Sequence, residues 1–138
     1  GFERLLAHNR QARIVWTHVG WDNTGHLTVG LLRRLMAAHP NLYGAIKFVQ
    51  QDYEPFGMGN KLIDESTGRL DPGWGQLLRD FPGRFMVGAD EFVVIDGQQR
   101  QGGPPSFEDT WDIIEDLPAD VRQDVCRDAA MKVYRLLE

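Results

Sequence analysis

Three short apolar runs constrain this chain more than anything else in it: Ile14 to Val19, Leu42 to Val49 and Phe85 to Ala89. They are mostly apolar, the first especially rich in β-branched and aromatic residues, which reads as strand. None alternates cleanly between apolar and polar. A strand with one wet face alternates, whereas one buried on both faces reads as a continuous apolar run, the pattern of a parallel sheet. The stretches between the runs carry helical spacing instead. Phe2, Leu5 and Leu6 make an apolar face at the start of the chain. Leu27, Leu31 and Leu35 make a stripe over about 27–39, widened by Leu32 and Met36, with Arg33 and Arg34 opposite. Thr24 or Thr28 is placed to cap that helix, and Pro40 and Asn41 end it.

A short helix over 74–81 follows, stopped by Pro82 and Gly83. Ser106 is placed to cap another through Ile114. Pro118 suits the first turn of a last helix, which Val121, Val125, Ala129, Val133 and Leu136 carry to the end. Strands alternating with helices imply βαβ units, an α/β fold with parallel strands. Two long irregular stretches, 50–73 and 91–105, each follow a strand. Loops of that length are uncommon unless they serve a function. Both fall at the carboxyl ends of the strands, the edge where such folds place their sites.

Composition closes some classes. A net charge of −5 offers phosphates no basic footprint, which argues against nucleic acid. No apolar run approaches the roughly 18 residues of a membrane helix. The N-terminal residues lack the basic-then-apolar pattern of a signal peptide. A lone cysteine, Cys126, cannot form an internal disulfide and suits a reducing compartment, so a cytoplasmic location is expected. It lies beside Val125 in the last helix, where a buried structural thiol is the default. The chain opens at helical spacing with no initiator methionine, as a piece of a longer protein would.

The first strand ends in His18 and Gly20, and the third in Asp90. Regular alternation puts Ile14, Trp16 and His18 on one face of the first, and Met86, Gly88 and Asp90 on one face of the third. An imidazole and a carboxylate at the same end of two parallel strands would form a metal or proton-transfer constellation. The bland reading makes His18 a buried histidine bonded to a carbonyl and Asp90 a turn residue. Trp21, Asp22, His26 and Lys47, and beyond Asp90 also Glu91 and Phe92, are substrate-binding candidates by position, and Asp52, Tyr53 and Glu54, which open the first long loop, are pocket candidates on the same ground. A capping or solvated role for His26 and a snorkelling role for Lys47 are the ordinary alternatives. Trp16 and Trp74 read as core.

Taken together, Ile14-Val-Trp-Thr-His-Val-Gly20, His39-Pro-Asn-Leu-Tyr43, Phe81-Pro-Gly-Arg-Phe-Met-Val-Gly-Ala-Asp90 and Ala129-Ala-Met-Lys-Val-Tyr-Arg-Leu136 resemble the amidohydrolase-related group of metal-dependent hydrolases. The resemblance implies that residues 1–138 are the C-terminal part of a TIM (β/α)8 barrel, its last three βα units. It implies a divalent metal, zinc being the one expected, with His18 and Asp90 as ligands and catalytic residues. His18 would ligate the metal or hold the nucleophilic water, and Asp90 would take that water's proton. The reaction would be hydrolysis of a C–N or C–O bond, or decarboxylation of a small acid. Four departures stand out. The family's first-strand His-X-His pair has no counterpart, the ligand from the fourth or fifth strand is missing too, Ala89 replaces the usual serine, and Ala129 replaces a common asparagine. A barrel needs about 250 residues. Ordering 138 residues costs on the order of 200 kcal/mol of chain entropy, which only a full core offsets. The isolated chain is therefore expected to be marginal and inactive, needing the missing N-terminal half of the barrel or a homo-oligomer partner. A non-catalytic α/β binding or interaction module is the alternative.

Overall fold

The computed structural model describes residues 1–22, 25–48, 61–88 and 107–136. In chain order these form α1 (Phe2–His8), β1 (Ile14–Val19), α2 (Val29–Ala38), β2 (Leu42–Ile46), a small hairpin of β3 (Ile63–Asp64) and β4 (Arg69–Leu70), α3 (Pro72–Asp80) and β5 (Phe85–Val87). Then come α4 (Phe107–Ile114), α5 (Ala119–Gln123), a π-helical turn at Asp124–Asp128, and α6 (Ala129–Tyr134). The three apolar runs pair as a parallel sheet in the order β1-β2-β5, so the α/β class read from their pattern holds.

The register sorts the side chains onto two faces. Ile14 pairs with Leu42, Val15 with Tyr43 and Trp16 with Gly44; Gly44 in turn pairs with Phe85, and Ala45 with Met86. Leu42, Ile46 and Phe85 are buried in the main core with Leu6 of α1, Leu32, Leu35 and Met36 of α2, and Trp74, Leu77 and Leu78 of α3; Ile14 and Trp16 pack against it. Gly44 sits at the centre because a Cβ there would lie 2.8 Å from the Phe85 ring. Ala45 and Met86 face the other way and are buried with Ala129 and Val133 of α6, with Val15 and Tyr43 against them. Helices therefore cover both faces of the sheet. The run from Ile14 to Trp16 turns its even-numbered side chains toward α1 and α2, not toward a barrel interior.

Local chemistry explains the helix ends. Thr28, one of the two expected caps, accepts from the Leu31 N–H at 3.0 Å; Thr24, the other, lies outside the described residues. Asp71 accepts from Gly73 and Trp74, so α3 starts at Pro72, two residues before the first apolar residue of its pattern. The stretch expected to be irregular contains the β3–β4 hairpin, whose strands of two residues are too short to show alternation. The last helix is interrupted by the π turn, whose Val125 is buried. Cys126 is only partly buried there, and that burial raises its thiol pKa. At the amino end of the sheet Arg84 ties β5 to its neighbours: Nε donates to the Leu42 carbonyl at 2.6 Å and Nη2 to that of His39 at 2.7 Å. Among the described residues, no helix is long and apolar enough to cross a membrane. Ser106 lies outside the described residues.

Candidate functional site

The carboxyl end of β1 is where the regular strand breaks. Trp16 pairs with Gly44 but Val19 pairs with Ile46, so three steps along β1 match two along β2. One extra residue has been inserted, a β-bulge, a device that re-aims side chains next to sites. Within it His18 takes a left-handed backbone, with φ 59°. Val19, fully buried, packs in the main core, in the place alternation would have given His18. The imidazole is displaced with Thr17 to the wall of a cavity.

That cavity, about 240 Å³, is lined by Trp16, Thr17, His18, Trp21, Asp22, His26, Leu27 and Leu31. It lies between the end of β1 and the start of α2. The cavity is smaller than the pockets that enclose drug-sized ligands and would take a small molecule or one group of it; its wall is shared by the polar Thr17, His18, Asp22 and His26 and the apolar Trp16, Trp21, Leu27 and Leu31. Trp21 is its joint. Its N–H donates to the His18 carbonyl at 3.1 Å, and its indole stands 5.8 Å from the His18 ring at 41°. On the same indole, the Lys47 ammonium stands 5.4 Å from the ring centroid, within cation–π range. Lys47 is 2% exposed, just past the end of β2, and its N–H donates to the Val19 carbonyl.

Asp22 is as buried as Lys47, and its role is visible in its bonds. Oδ1 accepts from the Gly25 N–H at 2.8 Å and Oδ2 from the Leu27 N–H at 3.0 Å. Its carboxylate is turned back onto the backbone of its own loop. The same loop is pinned from outside: the Gly20 carbonyl accepts from the Lys61 N–H at 2.9 Å, and Leu62 packs onto Gly20.

No family model, curated protein or solved structure matches this chain. The likeness to the amidohydrolase-related hydrolases rests on the motif residues themselves.

Of the residues singled out from sequence, His18, Trp21, Asp22 and His26 come together in the one cavity, and Lys47 joins them through Trp21. Asp90, Glu91 and Phe92 lie outside the described residues, as do Asp52, Tyr53 and Glu54. Sequence reasoning missed Trp16, Thr17, Leu27 and Leu31 as pocket walls. Trp16 had been given to the core, yet it lines the cavity while also packing edge-on against Phe2, at 5.1 Å. The helix expected from about residue 27 begins at Val29, so Leu27 lies before its Thr28 cap; Leu27 is buried in the main core and Leu31 packs against it, and both also line the cavity.

A catalytic zinc ion takes three protein ligands. Among the described residues no three of His, Cys, Asp and Glu gather closely enough to hold an ion. His18 and His26 are imidazoles on one cavity wall, suited to such an ion but too few, and Asp22 is engaged with its loop. The described residues alone do not make a metal centre.

Proposed function

We propose that this chain carries the pocket end of a metal-dependent hydrolase related to the amidohydrolase group. In this reading it supplies the last three βα units of a (β/α)8 barrel, with the other strands coming from the rest of a longer protein or from a partner chain. The observation that carries the reading is His18: a histidine in a left-handed bulge at the carboxyl end of a parallel strand, facing a small tryptophan-lined cavity. Strained backbone of this kind persists where the surroundings over-determine it, and it gathers at functional sites. The carboxyl edge of parallel strands is also where α/β folds bind ligands.

His18 and Asp90 would hold the ion together with ligands on the missing strands. When bound, a zinc-type ion supplies a water that ionises near neutrality. The chain's own residues do the rest. In hydrolysis the His18 imidazole would orient a water and the Asp90 carboxylate would take its proton as a C–N or C–O bond is cleaved; in decarboxylation of a small acid, carbon dioxide would leave and a proton held by the same pair would pass to the carbon it left. Trp16, Trp21, Leu27 and Leu31 shield the substrate's apolar part from solvent. Lys47 favours an acidic substrate. A cytoplasmic enzyme acting on small molecules, rather than on nucleic acid or at a membrane, fits this reading.

A second reading has its own support. The face that a barrel would turn inward is covered by α6, which favours a non-catalytic α/β module whose cavity binds and does not react. The coding sequence upstream separates the two. A strand ending in His-X-His, within the length that a barrel of about 250 residues requires, supports the hydrolase. Its absence from that stretch leaves the binding module.

A further inference from the structure

We infer that Asp22 is the positioning residue of this pocket: its carboxylate sets Trp21, and through Trp21 both His18 and Lys47. The inference rests on the cavity being the functional site, but its geometry stands apart from any chemistry.

Two carboxylate oxygens accept two backbone N–H groups, Gly25 at 2.8 Å and Leu27 at 3.0 Å, so one buried side chain ties Gly25 and Leu27 to the residue that follows Trp21. Hydrogen bonds from N–H groups to a carboxylate are stronger than those between neutral groups, and burial strengthens them further. Cavity walls lie on both sides of that clasp: Trp21 directly before Asp22, and His26 and Leu27 at its far end. The Trp21 indole meets the His18 ring on one contact and the Lys47 ammonium on another. A rotation of the Trp21 backbone would therefore move the imidazole's neighbour and the ammonium's neighbour together. The left-handed conformation of His18 also needs an anchor, and the Trp21 N–H on the His18 carbonyl is one. Asp22 fixes the residue that makes that bond.

The test compares the chain with its Asp22→Asn and Asp22→Ala variants by NMR, reading the Trp21 indole N–H, the His18 and His26 imidazole nitrogens and amide exchange. Asn keeps one acceptor oxygen and Ala keeps none, so the two variants grade the loss. Exchange at Gly25 and Leu27 should quicken by about tenfold in the Asn variant and by more in the Ala variant. The Trp21 and His18 ring signals should shift in the same order. Amides of Leu32, Leu35 and Phe85 in the core should stay within about twofold of the parent chain, since the change is local. Unmoved ring signals would overturn the inference. So would a uniform loss of protection or unfolding in both variants, because Asp22 would then support the fold and not the pocket. Turnover plays no part in this readout. A chain that passes it yet never hydrolyses a substrate keeps the positioning role and loses the hydrolase reading.

Discussion

At the scale of single residues, two backbone conformations carry the site. His18 stands at φ 59°, where an L-residue loses about 1–2 kcal/mol and only glycine, and to a lesser degree asparagine or aspartate, sits easily. Replacing His18 by Gly should raise unfolding stability in urea by about 1 kcal/mol, while Val, branched at Cβ, should lower it by at least that much. A glycine variant less stable than the parent would mean that the imidazole's contacts outweigh the strain. Gly20 follows at φ 107°, and a Cβ there would lie 2.6 Å from Leu62 Cγ. Gly20→Ala should therefore cost about 2 kcal/mol or more, and trimming Leu62 should recover the steric share alone, leaving the backbone strain. The sequence pointed to His18 through its place after an apolar run. It could not show the imidazole's direction, because a bulge leaves no mark on the apolar pattern and shifts every side chain beyond it.

Among elements, α2 acts as the hub. Arg34 meets Glu3 of α1 at 2.8 Å, and Arg33 meets Asp80 of α3 at 2.5 Å. The Arg34 hydrogen bond lowers the Glu3 pKa, and the Arg33 hydrogen bond does the same for Asp80, helped by Gln76. A carboxylate held below its ordinary range binds fewer protons folded than unfolded, so its contribution is complete above that range and is lost as pH falls through the depressed value. Replacing Arg33 and Arg34 by Gln should therefore lower stability modestly at neutral pH. The difference from the parent should vanish under acid and shrink in roughly 1 M salt, since these pairs are exposed. Equal acid limbs in urea titrations would show that the pairs do not hold α1 and α3. The three strands and α2 were legible because burial on both faces and helical spacing both leave periodic traces. The side of the sheet that α6 takes was not: both faces are apolar, and nothing in Ala129 or Val133 says which one they meet. The β3–β4 hairpin was invisible because two residues make no period.

On the scale of the whole molecule, the sheet has two edges, β1 and β5, each pairing on one side only among the described strands. Parallel strands are ordinarily covered, and β1 carries none of the charges or prolines that blunt an exposed edge. The melting temperature of the isolated chain should therefore rise by several degrees over about a hundredfold increase in concentration, with sedimentation showing association over the same range. A flat response would mean that this chain is self-sufficient, as the binding-module reading holds. In the hydrolase reading the His18 imidazole does chemistry in a completed barrel. His18→Asn isolates that role, because asparagine tolerates the left-handed backbone while removing the imidazole. The measurement is hydrolysis of small amides and esters by the zinc-loaded protein expressed with any coding sequence upstream of residue 1, parent against variant. Turnover is expected in the parent, with a loss of about 10²–10⁴-fold in the variant and thermal stability unchanged; undiminished turnover in His18→Asn, or none in the parent, would rule the hydrolase reading out.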